Sequence, residues 1–389
     1  MQLDQMCDEV VEQRSALRVV EVDPQSDARW EALMNHLPSS VIYQHPAWLA
    51  VVEEGYGYKP LHLACEDASG NVHGILPLFY RRGLRSGKIC LSPPPVAGPL
   101  ADSEQASTLL VQAAIERSRN ERAASFQFMT RSTHFDHHVD GVVGVPVHES
   151  YGLTLPERPD LLHLDARVKR AVNKATRLGL HIRPAETISE LKAWYQLYLE
   201  TMRRAMVMPH PYRIFELSWR HLRPLGALQL LLAEHSEAGQ RKLVAGFLFF
   251  QWNGISWHLY TGWKREDQDL RPNDLLHWQA IQDACAQGLR WYDFGHAPAG
   301  NQGIAQFKSK WATEMATTYR YSYPLASHGE MSSAASIPAP HAQSTEAAPG
   351  RASQVKRAVR DRLVTPLWQH LPLRATQLIA EWSRAVHYY

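Results

Sequence analysis

At 389 residues the chain is too long for one ordinary domain, and its 45% hydrophobic content is enough for real cores. A net charge of +2 gives no global attraction for polyanions, so any phosphate site has to be a local cluster. Four scattered cysteines (Cys7, Cys65, Cys90, Cys285) without a CxxC pair argue against a zinc ribbon or a disulfide scaffold and suit a reducing compartment. The acidic start MQLDQMCDEVVEQR is no signal peptide, and no window approaches the roughly 20 apolar residues of a membrane span. A cytoplasmic protein is expected.

After a polar start, residues 17–22 alternate as a strand, residues 28–37 read as a short helix, and a second helix follows Pro46. Strands are expected at 61–65, 72–79 and 89–91, a helix at 107–122, and strands at 125–129 and 151–155. The second half opens with helices at 166–178 and 188–204, and another after Pro211. Strands follow at 228–234, 243–252 and 255–263, the last two joined by Asn253-Gly254, a strong hairpin signal. Then come a helix from Asn273 to Gln287, ended by Gly288, a strand to Phe294, and a Gly-rich loop from Gly295 to Gly303. A basic-aromatic segment with Phe307, Lys308, Lys310 and Trp311 and a strand at 317–323 complete it.

The two halves repeat one order of helix, antiparallel strands, helix and strand. This predicts an α/β fold with mixed sheets in two similar domains, 17–160 and 161–325. Residues 326–354 are rich in Ser, Ala, Pro and Gln and read as a disordered linker. Residues 355–389 carry six Lys and Arg against two acids, interleaved with apolar residues. Such a basic amphipathic tail suits peripheral contact with an anionic membrane, or docking on protein.

A strand end opening into a flexible loop beside a helix is where α/β proteins put ligands, which singles out the stretch from Leu270 to Glu314. An ordinary coenzyme A site holds the pyrophosphate on backbone amides at a helix start. Here that start is Arg271-Pro272-Asn273-Asp274: Pro272 has no N–H, Asp274 repels phosphate, and Arg271 compensates only in part. Arg167, Arg170, Lys174 and Arg177 fall at spacings of three, four and three on one helix face, suited to phosphates, with Val168, Ala171, Val172 and Ala175 on another. The run His134-Phe135-Asp136-His137-His138 lacks the first histidine of a metal-binding pattern, and no metal site is expected. Asp293-Phe294-Gly295 has none of the other motifs of a protein kinase around it.

Several segments together resemble the FemAB-like branch of the GNAT acyltransferases, which includes the peptidoglycan bridge-forming aminoacyltransferases and members tied to exopolysaccharide systems. They are Tyr43 to Trp48, Gly74 to Leu78, Leu91-Ser92-Pro93, Gly98-Pro99-Leu100, Arg170 to Leu180 and Met202 to Phe215. The fullest match is Pro272-Asn273 to Trp278, Gly288, Asp293-Phe294-Gly295, and Phe307-Lys308 to Trp311. The resemblance implies tandem GNAT-like domains and transfer of an acyl or aminoacyl group to an amine on a cell-envelope or exopolysaccharide precursor. It implies no permanently bound cofactor; acyl-CoA or aminoacyl-tRNA serves as donor, and tRNA is then a partner. By the same resemblance Lys308 is catalytic with Phe307 beside the acyl end and Asp293 orienting the site. Arg213, Tyr212, Gln44, Trp48, Arg271 and Lys310 contact substrate.

The chain departs from the family in reading Gly295-His296-Ala297 and Trp311-Ala312-Thr313, and in having no lysine between Leu49 and Glu54. These departures leave the donor and the acceptor open. An acetyl-CoA-dependent N-acetyltransferase acting on a small amine or amino sugar, and a non-catalytic GNAT-like scaffold of an envelope assembly, stay as alternatives.

Overall fold

The computed structural model describes residues 17–83, 87–131, 135–136, 139–237, 239–298, 301–325 and 371–386. The linker expected at 326–354 lies outside the described residues, as do 355–370 of the tail and His134, His137 and His138. The chain forms two compact units, one from residues up to His148 together with the stretch from Thr317, the other from Glu149 to Ala316 together with the C-terminal helix. The first change of unit therefore falls inside a strand, ahead of the division expected at residue 160.

The first unit begins with β1 (Arg18–Glu21), α1 (Ala28–His36) and α2 (Pro46–Tyr56), followed by β2 (Lys59–Pro60), β3 (Leu63–Glu66) and β4 (Val72–Leu76). Asp27 caps α1 and Pro46 fills the first turn of α2, where a missing N–H costs nothing. Next come β5 (Phe79–Gly83), β6 (Gly87–Leu91), β7 (Leu100–Ala101), α3 (Glu104–Asn120) and β8 (Ser125–Thr130). The single strand expected at 72–79 is thus two strands separated at Pro77, which cannot donate to a ladder. Strands β1, β3, β4 and β7 are neighbours in one sheet, and β2, β5, β6 and β8 in another. The inner face of α3, with Ala106, Leu110, Val111, Ala114 and Ile115, closes a core with Leu63, Leu76, Phe126 and Phe128.

In the second unit the elements are β9 (Val143–Thr154), α4 (Ala166–Arg177), β10 (Leu180–Pro184), α5 (Ile188–Ala205), α6 (Tyr212–Leu222), β11 (Leu228–Glu237) and β12 (Gln240–Trp252). They continue with β13 (Ile255–Trp263), α7 (Pro272–Ala286), β14 (Trp291–His296) and α8 (Gln302–Ser309). Strand β15 (Glu314–Pro324) leads the chain back to the first unit, where it pairs β8 and stacks Tyr321 on Phe128 at 4.8 Å. The last described element is α9 (Leu373–Val386).

The strand order in the second unit is β10-β11-β12-β13-β14-β9. Asn253 and Gly254 both have positive φ, as a two-residue hairpin needs, and join β12 to β13. Helix α4 buries Val168, Val172 and Ala175, and α7 buries Leu276, Ala280, Ile281 and Ala284 in the same core as Phe247, Phe249, Tyr292 and Phe294. A Cβ on Gly262 would come within 2.7 Å of the Tyr198 backbone, so its bare Cα is what lets α5 lie against β13.

Candidate active site

All of the groups around Lys308 belong to the second unit. Strands β13 and β14 are parallel, but they pair over only three residues, Ile255↔Trp291 to Trp257↔Asp293. Beyond that point β13 runs on to Trp263 with its other edge on β12, while β14 turns away on β9. Each strand has a register break there. Leu259 falls outside the pairing between Phe249↔His258 and Leu248↔Tyr260, and Phe294 outside that between Asp293↔Gly152 and Gly295↔Tyr151. A bulge bends its strand and takes a residue out of the ladder. The two together open a wedge at the C-terminal end of a parallel pair.

Asp293 fixes the break in β14. It is 2% exposed, and its Oδ1 accepts the N–H of Gly295 at 2.6 Å. Gly295 has φ +71°, the left-handed region that glycine adopts without a Cβ penalty, and a Cβ there would sit in ordinary contact, 3.6 Å from both Lys308 Nζ and the His258 carbonyl. This close approach brings β14 up to the lysine.

Lys308 stands on α8, where the sequence suggested only a basic-aromatic segment after a loop. Asn301 caps this helix by accepting the Ile304 N–H at 3.1 Å. Lys308 Nζ donates to the His296 carbonyl at 2.7 Å. Burial pushes the amine down to about 8, against the attraction of Asp293. Below it lies an aromatic floor. His258 has ring centroids 4.3 Å from Phe247 and 4.8 Å from His277, and His277 is 5.6 Å from Phe307 and 5.8 Å from Trp311. His277 Nδ1 shares a 2.8 Å hydrogen bond with Tyr292 Oη, and His258 Nε2 one of 2.9 Å with Thr261 Oγ1. Burial holds both imidazoles neutral: His258 is pushed down to about 3, with Lys308 adding to the effect, and His277 falls well below its ordinary value. Among the described residues, the buried His258 Nδ1 meets no hydrogen-bond partner. Nothing local in the sequence distinguishes either histidine from a core residue, so only the fold brings them to the site.

The start of α7 lies in the same unit. Arg271 is exposed at its N-cap with φ +61° and makes no side-chain cap. Pro272 follows, and Asp274 is 4% exposed. Burial raises the Asp274 carboxyl, opposed by Lys310 and Arg271. Lys310 Nζ is 3.9 Å from Asp274 Oδ1 and 4.7 Å from the Phe307 ring centroid. On α4, Arg167 is held by Asp165 at 2.6 Å, Arg170 and Arg177 are exposed, and Lys174 is half-buried.

The remaining expected contacts stand elsewhere. Tyr212 begins α6 with its ring edge-on to Tyr195 at 5.2 Å, and Arg213 beside it is exposed. Gln44 and Trp48 are core residues of the first unit, 3% and 4% exposed. Gln44 Nε2 donates to the Gly98 carbonyl at 2.8 Å and its Oε1 accepts Val41 N–H, so its amide is used in holding the fold. Among the described residues no group of three His, Cys, Asp or Glu side chains is arranged to hold a metal ion, and no helix is long and apolar enough to cross a membrane.

Residues 164–309 match a family described as acetyltransferase (GNAT) domain. No curated protein matches the sequence. Among solved structures the fold is similar to that of FemX, with a TM-score of 0.67 at 16% identity, over 79% of this chain and 97% of that one. It is similar also to the C-terminal domain of a putative lysylphosphatidylglycerol synthetase from Agrobacterium fabrum (TM-score 0.51, 14% identity, 77% and 91% covered). A tandem GNAT protein from the clavulanic acid biosynthesis pathway gives a TM-score of 0.51 at 11% identity, with 80% and 99% covered. The fold is thus one shared with FemX and with a tandem GNAT protein, and the matched GNAT domain falls in the second unit.

Proposed function

We propose, from a chain that carries a GNAT domain within a FemAB-like fold, that the second unit transfers an acyl or aminoacyl group to an amine. The observation that carries this reading is Lys308, an amine with a value depressed to about 8, standing at the wedge where β13 and β14 part. In the reaction the acceptor nitrogen attacks the donor carbonyl carbon, a C–N bond forms, and the carbonyl electrons move onto oxygen. Collapse breaks the bond from the acyl carbon to the leaving sulfur or oxygen. The proton lost by nitrogen goes to a base, and the leaving group takes up a proton. Lys308, charged, stabilises the oxyanion, a kind of term worth about 10²–10³ in rate. Phe307 and the floor around His277 keep water from the acyl end. Asp293 positions the lysine through the Gly295 bulge.

The donor is proposed to be an aminoacyl or acyl carrier other than plain acetyl-CoA. The α7 start supports this, since it offers a proline and a buried carboxylate where a pyrophosphate needs amide donors. Arg271, Lys310, Arg170 and Arg177 are then the cations available to donor phosphates. The acceptor is proposed to be an amine on an envelope or exopolysaccharide precursor, with Tyr212 and Arg213 as its contacts. A second reading, an acetyl-CoA-dependent N-acetyltransferase, is favoured by the name of the matching domain family.

The test incubates the full chain with amine acceptors and either acetyl-CoA or aminoacyl-tRNA, and reads products by mass spectrometry. Lys308→Ala is expected to lose at least about 100-fold in turnover with its circular dichroism unchanged. Full turnover in that variant sinks the assignment, and turnover with acetyl-CoA alone favours the second reading.

A further inference from the structure

Amide formation takes a proton from the acceptor nitrogen, and Lys308, the cation of the reaction, cannot receive it. His258 and His277 are poor bases, since burial holds both imidazoles far below their ordinary value. The start of α7 supplies a better one. Asp274 is 4% exposed, and among the described residues its Oδ1 meets no hydrogen-bond donor. Lys310 Nζ stands 3.9 Å from it, beyond hydrogen-bond reach. The Oδ1 of Asn273, the residue before, is likewise buried and unpartnered among the described residues. Two consecutive residues thus hold acceptor oxygens with nothing to accept. Buried acceptors without donors are costly, and a ligand bearing N–H groups relieves the cost.

The placement of Asp274 ties it to the acyl end. It lies three residues before His277 on α7, so the two share a helix face. The His277 ring is 5.6 Å from Phe307, which flanks the acyl group in the proposed reaction. Lys310 reaches the same ring, 4.7 Å from its centroid. Burial raises the Asp274 carboxyl and makes it a stronger base than an ordinary aspartate, while Lys310 and Arg271 oppose the shift. Asp165, at the start of α4, acts on Lys310 from another element, and His277 beside the carboxylate is neutral.

We infer, resting on the acyl transfer proposed for the second unit, that Asp274 is the general base of that reaction, with its unpartnered Oδ1 facing the acceptor nitrogen. The nitrogen arrives neutral and attacks the acyl carbon. As the C–N bond forms and the carbonyl electrons move onto oxygen, one N–H proton passes to Asp274 Oδ1. On collapse the carbonyl re-forms, and the bond to the leaving sulfur or oxygen breaks with its electron pair on that atom. Asp274 then gives the same proton to the leaving atom, which restores the carboxylate and balances the reaction. A raised carboxyl suits both halves, being ionised near neutral pH and a good base when the nitrogen becomes acidic. The carboxylate that makes the start of α7 unfit for a pyrophosphate is, on this account, part of the chemistry.

The test measures kcat/KM of the full chain, with acetyl-CoA or alanyl-tRNA as donor and D-glucosamine, L-lysine or ethanolamine as amine. Asp274→Asn keeps the shape and removes the base, and is expected to lose about 100-fold or more. The ratio of wild type to Asp274→Asn cancels the titration of the amine. It is expected to rise with pH as the carboxyl ionises, through a midpoint above the 3.8 of an ordinary aspartate, and then to level off. Lys310→Met keeps the carboxylate but removes a cation that holds it down, so its acid limb is expected at higher pH than in the wild type. That shift separates a base from a plain ion pair and decides the matter even where Asp274→Asn does not fold, which circular dichroism checks. A folded Asp274→Asn with turnover within a few-fold of wild type, a flat ratio, or an unmoved limb in Lys310→Met overturns the inference and leaves acyl transfer standing. Wild type that forms no amide from any of these pairs overturns the transfer reading itself, and the base with it.

Discussion

If Lys308 works as a cation, activity falls as pH rises through its own titration. Its amine is depressed to about 8, so roughly nine-tenths is charged at pH 7 and about one-tenth at pH 9. The Lys308-dependent part of kcat/KM then drops roughly tenfold between these values. The acceptor amine titrates in the opposite sense, gaining nucleophilicity as it loses its proton, and would mask the fall in a single profile. Lys308→Arg removes this ambiguity. A guanidinium stays charged throughout, so the ratio of wild type to variant cancels the acceptor and isolates the lysine. Steady-state kcat/KM measured at half-unit steps from pH 6 to 10 is expected to give a ratio that is flat below about 7 and falls through a midpoint near 8. A ratio that stays flat, or that rises with pH, refutes the cation role; a rise would point to a neutral amine acting as base.

The same depressed value has a stability consequence. The folded amine titrates below the unfolded one, so charging it opposes folding in full below about 8, and the penalty fades as pH rises toward 10.5. Lys308→Met is therefore expected to raise Tm at pH 7 and to lose that advantage by pH 10.5, which calorimetry at the two pH values decides. Asp293→Asn keeps an oxygen for the Gly295 N–H but removes the charge that supports the ammonium, so the Lys308 midpoint is expected below 8; an unchanged midpoint removes Asp293 from the site. A Cβ on Gly152 would lie 1.8 Å from the Trp291 ring, and Gly152→Ala is expected to cost about 3 kcal/mol in a denaturant melt, partly recovered with Trp291→Ala. Helix α9 packs on α5 and α6 with Thr376 and Ala380 fully buried, and Arg203 donates to the Leu371 carbonyl at 2.6 Å. Ala380→Asp is expected to free the tail to limited proteolysis while leaving the rest of the second unit resistant.

Much of the fold is legible because local chemistry and packing agree. The Asn253-Gly254 turn admits one hairpin, and the apolar stripe of α4 has one way to face the core. The strand at 72–79 is misread because alternation continues through Pro77 while hydrogen bonding does not. The short edge strand β10 and helix α8 escape pattern reading for another reason. Each is short, and α8 follows a glycine-rich loop that hides the Asn301 cap. Gln44 shows the limit most plainly. Its place in the Tyr43 to Trp48 segment suggests a substrate contact by resemblance, and only the fold reveals that its side-chain amide donates to the Gly98 carbonyl, 54 positions away.

Lys308 illustrates why a residue is easier to nominate than its chemistry. A lysine on a short helix has an ordinary amine unless something removes water from it. Here the aromatic floor from β13 and α7 does so, the Gly295 bulge brings β14 against it, and the His296 carbonyl takes its hydrogen bond. None of these groups is near Lys308 in sequence, and each acts through the parting of β13 and β14. Had the two strands stayed paired along their length, β14 would have no room to turn under α8. The amine would then meet solvent at its usual value. The depressed amine and the opened strand pair are thus two aspects of one geometric event, to which the irregularities at Leu259, against β12, and Phe294, against β9, both contribute.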